Sequence, residues 1–115
     1  MRDEKKKYLS SYLLQETKIN RFKNMMELNP QSAEDYRKEI NSALSLREKI
    51  EKQIKAVDGD ILSEVLFQKY VFGKTLENIG YTLNYSTRHI ERLHIKALDK
   101  FKMEYFPLYF LPQRL

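Results

Sequence analysis

The chain of 115 residues contains no cysteine, no tryptophan, only three glycines and only three prolines. The absence of cysteine excludes disulfide bonds and thiolate-ligated zinc, and it is typical of proteins in a reducing cytosol. With three scattered glycines, the sequence holds no glycine-rich phosphate loop and no Walker motif. These absences exclude disulfide-stabilised scaffolds, cysteine-type zinc fingers and P-loop nucleotide-binding proteins.

The sequence also lacks a long hydrophobic run. Its aromatic and apolar stretch at residues 106–111 is far shorter than the ~20 residues that span a bilayer, and we expect it to fold back onto protein. The N-terminal segment is charged, with no apolar signal segment behind it. We therefore expect a cytoplasmic protein without membrane contact.

Candidate catalytic and metal-binding groups are sparse. The two histidines, His89 and His94, are five residues apart, which on a helix would place them about 140° apart, too far to hold one metal ion together. We expect His94 to pack against a neighbouring helix. No serine lies in a nucleophile elbow, and carboxylate pairs such as Glu48 and Glu51 have basic neighbours, as ordinary surface charges do. The sequence thus predicts no enzyme, no metal and no cofactor.

The chain does contain 42% hydrophobic and 32% charged residues, a composition typical of one helical domain, or of a small domain with a helical extension. Apolar residues recur at spacings of three and four, which predicts an all-α fold. We divide the chain into a helical hairpin over residues 1–58, a second domain over residues 59–105 and an apolar tail over residues 106–115. The boundary rests on Gly59, which lies between two aspartates, and we expect Asp60 to cap the next helix.

Two helices that pack as an antiparallel, coiled-coil-like hairpin are predicted for the first 58 residues. Residues 28–31 connect them, and Ser32 is expected to open the second helix with a capping box. Gln15 and Arg47 each interrupt an apolar seam. The first seam comprises Tyr8, Tyr12, Ile19, Phe22 and Met26, with Leu9 and Leu13 alongside, and the second comprises Tyr36, Ile40, Ala43, Ile50, Ile54 and Val57. The surplus apolar residues Leu14, Leu44 and Leu46 favour a homodimer formed through these helices.

Residues 75–102 have the pattern of a helix-turn-helix. Thr75 and Ser86 lie where the N-caps of two successive helices are expected, and Gly80 would let those helices approach closely. Gly73 is expected to end the preceding helix in the left-handed conformation. The second helix, residues 86–102, carries five basic side chains against two acidic ones. Such a helix pair is typical of proteins that place the second helix in the major groove of DNA.

The second helix separates apolar and basic residues onto opposite faces when each position is advanced by ~100°. Ile90, Leu93, Ala97 and Phe101 fall on one side, and Arg88, Arg92, Lys96 and Lys100 follow one another on the other. We predict that the first two turns contact bases, through Thr87, Arg88, Glu91 and Arg92. We predict contacts to the DNA backbone from the helix starts and from farther along, through Thr75, Ser86, His89, Lys96 and Lys100.

From about Asp60 to Phe101 the chain resembles the fourth conserved region of bacterial sigma factors. The resemblance rests on the spacing of Leu66, Tyr70, Gly73, Lys74, Thr75, Leu76, Ile79, Leu83, Ser86, Arg88, Ile90, Leu93, Ala97, Leu98 and Phe101. More narrowly, residues 84–94 with Ala97 and Leu98 resemble small phage and prophage regulators of the ArpU and RinA type. The resemblance covers a little over a third of the chain. It implies a regulator of late phage genes in the cytoplasm of a bacterial host, with base reading at Thr87, Arg88 and Arg92 and a backbone contact at Lys96. Sigma region four usually has a long basic residue at the position of Thr87, which implies a different base preference here.

These residues also fit two other functions. The protein could be an interaction module that docks on RNA polymerase or on another regulator, as sigma region four also does. It could instead be the DNA-recognition subunit of a phage packaging motor, since such subunits also join a helix-turn-helix to helical oligomerisation segments. Our leading hypothesis is a transcription regulator that binds specific sequences of duplex DNA, with the N-terminal hairpin used for self-association or polymerase contact.

Overall fold

The computed structural model describes residues 1–103, and the predicted apolar tail over residues 106–115 lies outside the described residues. Within residues 1–103 the chain is all-helical and contains no strand, which confirms the all-α prediction. The helices are α1 (Arg2–Leu28), α2 (Ala33–Lys55), α3 (Asp60–Leu66), α4 (Leu76–Leu83) and α5 (Thr87–Lys100). None of these five is both long enough and apolar enough to cross a membrane.

Helices α1 and α2 run past each other in opposite directions. Toward the start of α1, the Tyr12 hydroxyl donates to Glu51 Oε2 near the end of α2, at 2.5 Å. Toward the turn, Ile19 packs with Ile40 and Ala43. Each seam therefore packs against the other, because residues three and four apart lie on the same side of a helix. Phe22, Met26 and Tyr36, the seam residues nearest the turn, are only half-buried.

The two polar residues that interrupt the seams are accommodated between the helices. Gln15 is buried. The guanidinium carbon of Arg47 lies 5.3 Å from the centroid of the Tyr12 ring, and its Nη1 lies 3.9 Å from Glu16 Oε1. The aliphatic part of Arg47 thus covers apolar surface while its charged end contacts an aromatic face and a carboxylate.

Two helix starts differ from the sequence-based prediction. Residues Pro30–Ser32 form a 3₁₀ turn, and the Ser32 side chain makes no capping bond. Ser32 has φ −101° and ψ 12°, not the extended conformation from which a hydroxyl reaches the first amides of a helix. At the start of α3 the N-cap is Gly59, not Asp60. The chain reverses direction there with φ +114°, which glycine adopts readily, and Asp60 becomes the first residue of the helix.

The largest hydrophobic cluster among the described residues joins the two halves of the chain. After α3 the chain continues as a π-helical segment, Phe67–Val71, and Gly73 ends it with φ +72°, as predicted. The core residues come from α1, the end of α2 with Val57 just beyond it, α3 with this π-helical segment, and the second half of α5 with its C-cap Phe101. They are Tyr8, Leu9, Tyr12, Ile50, Ile54, Val57, Leu62, Leu66, Tyr70, Ala97, Leu98 and Phe101. The core crosses the boundary predicted at residues 58–59, and the division into two domains stays a prediction.

Candidate nucleic-acid interface

Helices α4 and α5 both begin at a side-chain cap. Thr75 and Ser86 are in extended conformations that end the preceding segment. The Thr75 hydroxyl accepts a hydrogen bond from the Asn78 amide at 3.1 Å, and the Ser86 hydroxyl accepts one from the His89 amide, also at 3.1 Å. Both predicted N-caps are therefore confirmed, and the first turn of each helix begins at a fixed position.

The turn between α4 and α5 depends on Gly80 and Asn84. A Cβ atom on Gly80 would lie 2.6 Å from the carbonyl oxygen of Tyr85, so only glycine leaves room for the chain to return across α4. The Gly80 carbonyl accepts a hydrogen bond from the Tyr85 amide at 2.9 Å. Asn84 ends α4 in the left-handed conformation, φ 65° and ψ 43°, which asparagine adopts more easily than most residues. The role of Asn84 was not predicted from the sequence.

The inner face of α5 packs against other helices near both ends of the helix. Near its start, Ile90 packs with Val65 of α3 and Ile79 of α4, and all three side chains are fully buried. Near its end, Ala97 and Leu98 belong to the main core. The buried face is rotated relative to the predicted stripe, since His94 and Leu98 are buried while Leu93 is only half-buried. This packing fixes which face of α5 is turned outward.

The outward face of α5 presents the predicted base-reading residues together. Thr87, Arg88, Glu91 and Arg92 are all exposed within the first two turns. Lys96 is exposed one turn farther on. Among residues 1–103, Arg88, Arg92 and Lys96 have no ion pair with a carboxylate. Their positive charges are thus available to a partner from outside the described chain.

Lys100 lies apart from this group. It is twelve residues from Arg88, or roughly 18 Å along the helix axis at 1.5 Å per residue. It lines a hollow of about 250 Å³ between the ends of α2 and α5, where Lys49, Lys52 and Lys102 also contribute. The predicted backbone contact at Lys100 therefore belongs to a second basic area at the far end of α5.

The two histidines of α5 have different surroundings. His89 is half-buried, and its ring meets that of Tyr85 edge to face with centroids 4.6 Å apart. His94 is buried, as predicted, and its Nε2 is 2.7 Å from the hydroxyl of Tyr70. Burial, with smaller contributions from the charges of Lys69 and Lys6, lowers the pKa of His94 to about 4. No group of three potential metal ligands occurs among the described residues.

The start of α1 contacts the end of α5, an arrangement that sequence reasoning missed. Arg2 donates two hydrogen bonds to the Asp99 carboxylate, at 2.9 and 3.0 Å. Lys5 Nζ donates to the carbonyl of Leu98 at 2.7 Å. The Arg2 guanidinium lowers the pKa of the Asp99 carboxyl. Arg2 thereby offsets the negative charge of Asp99, which lies on the same outward side of α5 as Arg88 and Arg92.

The structure thus brings Thr87, Arg88, Glu91 and Arg92 onto one exposed surface, places Thr75 and Ser86 at helix starts, and separates Lys100 from them. No local sequence signal could have revealed the Arg2–Asp99 pair, whose partners are 97 residues apart. Comparison of the chain with protein-family models, with curated proteins and with solved structures finds no match.

Proposed function

We propose that the protein is a transcriptional regulator that binds specific sequences of duplex DNA, with α4 and α5 acting as a helix-turn-helix of the sigma region-four type. In this proposal α5 enters the major groove by its N-terminal half. The observation that carries the proposal is the exposed row of Arg88, Arg92 and Lys96 at four-residue spacing, without a carboxylate partner among the described residues. A DNA backbone supplies the negative charge that such a row lacks within the protein.

The chemistry of the first two turns supports reading of bases. Arginine binds O6 and N7 of guanine in a bidentate manner, and glutamate accepts a hydrogen bond from N4 of cytosine. Arg88 and Arg92 would therefore favour guanines, Glu91 a cytosine, and Thr87 would contact a thymine methyl or a polar base edge. Lys96, Thr75, Ser86 and His89 would contact phosphates and fix the register of the helix.

The proposal includes a homodimer formed through α1 and α2. Leu14 and Leu44 are exposed on these helices, so a second copy could cover them. A two-fold symmetric protein would bind two half-sites about one helical turn of DNA apart. The regulated genes are proposed to be late genes of a phage or prophage, on the strength of the sequence resemblance alone.

A protein-docking function is the second candidate, because exposed aromatic residues lie next to the basic helix. Tyr81 on α4 is 81% exposed and Tyr85 in the following turn is 40% exposed. Tyrosine is enriched in protein interfaces. In this alternative, α4 and α5 would dock on an acidic surface of RNA polymerase or of another regulator.

The experiment is selection from a random duplex DNA library at ~150 mM salt, where non-specific electrostatic binding is weakened. We expect the wild-type protein to enrich one motif. The variant Arg88→Ala/Arg92→Ala should lose that motif, since each lost bidentate contact removes ~1–3 kcal/mol of discrimination. The matched control is Arg21→Ala/Arg37→Ala, which removes the same charge from exposed positions near the turn between α1 and α2 and should retain the motif.

Failure of a folded wild-type protein to enrich any motif would contradict the DNA-reading proposal. The docking alternative would then be tested directly with purified RNA polymerase, comparing the wild type with a Tyr81→Ala variant. If a motif is enriched, its symmetry reports the dimer, because a two-fold symmetric protein selects a palindromic site.

A further inference from the structure

Three lysines from three different parts of the chain surround one hollow beside the start of α4. Lys6 comes from α1, Lys69 from the π-helical segment after α3, and Lys74 from the residue before Thr75. The hydroxyl-bearing residues Ser10 and Thr75 also line this hollow, whose volume is about 360 Å³. The fold thus gathers positive charge and hydroxyl groups that are widely separated in the sequence.

The three lysines have no ion-pair partner within the described chain. Among residues 1–103 no carboxylate lines this hollow. Asp3 and Asp99 line a neighbouring hollow that Lys6 also borders, but neither forms an ion pair with that lysine. The ammonium of Lys69 lies 5.7 Å from the centroid of the Tyr70 ring. A cation–π contact of this kind attracts the ammonium but leaves its positive charge in place. The charges of Lys6 and Lys69 also contribute to the lowered pKa of His94, so both lie in the neighbourhood of that ring.

Lys6 lies next to the outward face of α5 as well as next to this hollow. That residue also lines a second hollow with Ile95 and Asp99, both exposed residues of α5. Ile95 is four residues after Glu91, so the two lie on the same side of the helix. Lys6 therefore lies between the outward face of α5 and the capped start of α4.

We propose that Lys6, Lys69 and Lys74 form a phosphate-binding cradle for one strand of the DNA duplex whose bases α5 reads. This proposal rests on the proposed function and assigns α1 a direct part in DNA binding. In a helix-turn-helix the first helix crosses the DNA backbone while the second lies in the groove. The cradle surrounds the start of that first helix, where the backbone would pass.

A nucleic-acid backbone fits the cradle better than an acidic protein does. Each lysine presents a compact charge on a flexible stem, which suits evenly spaced phosphates that need no planar recognition. The two hydroxyls are further donors of the kind that contact phosphate oxygens. Exposed aromatic residues such as Tyr81, which a protein partner would use, do not line the cradle.

The test uses the triple variant Lys6→Ala/Lys69→Ala/Lys74→Ala. Its affinity for duplex DNA is measured at salt concentrations from ~50 to 200 mM and compared with that of the wild type. The probe is the duplex selected by the wild type or, if selection fails, a random-sequence duplex. Each phosphate contact contributes about 0.9 to the slope of log affinity against log salt. We expect the slope to fall by two to three units and the affinity at ~150 mM salt to fall on the order of 100-fold. The preferred base sequence should not change.

The matched control removes the same charge elsewhere. Lys18→Ala/Lys23→Ala/Lys38→Ala alters three lysines on the parts of α1 and α2 near their connecting turn, and it should keep the wild-type slope. The variant Lys6→Arg/Lys69→Arg/Lys74→Arg should also keep the slope, since the positive charges remain. If the alanine triple does not fold, the exposed single variant Lys6→Ala replaces it, with an expected loss of about one unit of slope.

The outcomes separate this proposal from the proposed function. If the alanine triple and its control have the same slope while Arg88→Ala/Arg92→Ala loses the motif, the cradle is wrong and the base-reading assignment stands. If the wild-type protein binds no duplex even at ~50 mM salt, both proposals are wrong. A slope that falls for the cradle triple but not for the control supports the cradle.

Discussion

His94 shows at the scale of one residue how burial changes the chemistry of an ionisable group. Its buried ring lies against Tyr70 of the π-helical segment, and the Tyr70 hydroxyl supplies its hydrogen bond. A charged imidazole there would lose its hydration and face the positive charges of Lys69 and Lys6, which is why its pKa is lowered to about 4. The folded protein therefore holds His94 in its neutral form throughout the neutral and mildly acidic range.

This shift predicts a pH dependence of stability. In the unfolded chain His94 takes up a proton near pH 6.5, whereas in the folded protein it does so only near pH 4. The unfolded state binds more protons within this window, so the free energy of unfolding falls as the pH falls through it. Between pH 7 and pH 5 we expect a loss of about 2 kcal/mol from this residue, measured by urea unfolding at both pH values.

The two histidines provide a matched pair for this measurement. His94→Gln removes the titrating group while keeping an amide that can bond to the Tyr70 hydroxyl, so it should reduce the difference between pH 7 and pH 5 by most of that amount. His89→Gln makes the same change at a half-buried position near Tyr85 and serves as the control. An equal reduction in both variants would contradict the assignment to His94.

The α4–turn–α5 element depends on the missing side chain of Gly80 and on the left-handed conformation of Asn84. Only the first of these could be predicted from the sequence. Gly80 was predicted because close helix packing demands a missing side chain, and the distance to the Tyr85 carbonyl agrees. The left-handed conformation of Asn84 was not predicted, since asparagine adopts it in a minority of contexts and the neighbouring residues give no further signal. Its conformation follows from how α4 and α5 pack, which is a tertiary property.

Gly80→Ala is therefore expected to destabilise the protein although alanine favours helices. The new methyl carbon would lie 2.6 Å from a backbone oxygen, which cannot rotate away as a side chain could. Overpacking of this kind costs roughly 1–3 kcal/mol, to be measured by urea unfolding at neutral pH. Thr82→Ala is the control in the same helix, because Thr82 is exposed, and it should change stability by less than about 0.5 kcal/mol. If Gly80→Ala and Thr82→Ala changed the free energy of unfolding equally, the close contact at Gly80 would not be important for stability.

The other elements also divide into features that the sequence predicted and features that it did not. Apolar spacing predicted the long helices α1 and α2, and the hydroxyls of Thr75 and Ser86 predicted where α4 and α5 begin. The π-helical segment Phe67–Val71 and the 3₁₀ turn Pro30–Ser32 were not predicted. Their hydrogen-bond patterns differ from an α-helix by one residue, a difference set by packing against neighbours and not by local composition.

At the scale of the whole molecule, the N-terminal helix supports the surface proposed to read DNA. Tyr8 and Leu9 of α1 lie in the same core as Leu98 and Phe101 of α5 and its C-cap. Two polar contacts also join the start of α1 to the end of α5: the Arg2–Asp99 pair and the hydrogen bond from Lys5 to the carbonyl of Leu98. Sequence patterns could assign each helix an apolar face but could not say that the face of α1 is shared between α2 and α5. That information lies in contacts between residues more than 90 positions apart.

Leu9→Ala tests whether the two halves form one cooperative unit. Leu9 is fully buried in the shared core, and truncation of a buried leucine to alanine costs about 2–5 kcal/mol. Leu14→Ala makes the same change on α1 at a position that is 53% exposed and should cost far less. We expect Leu9→Ala to reduce hydrogen-exchange protection equally in α1 and in α5, because unfolding of a common core exposes both helices together. If α5 keeps its wild-type protection while α1 and α2 lose theirs, residues 59–105 fold independently and the halves are separate domains.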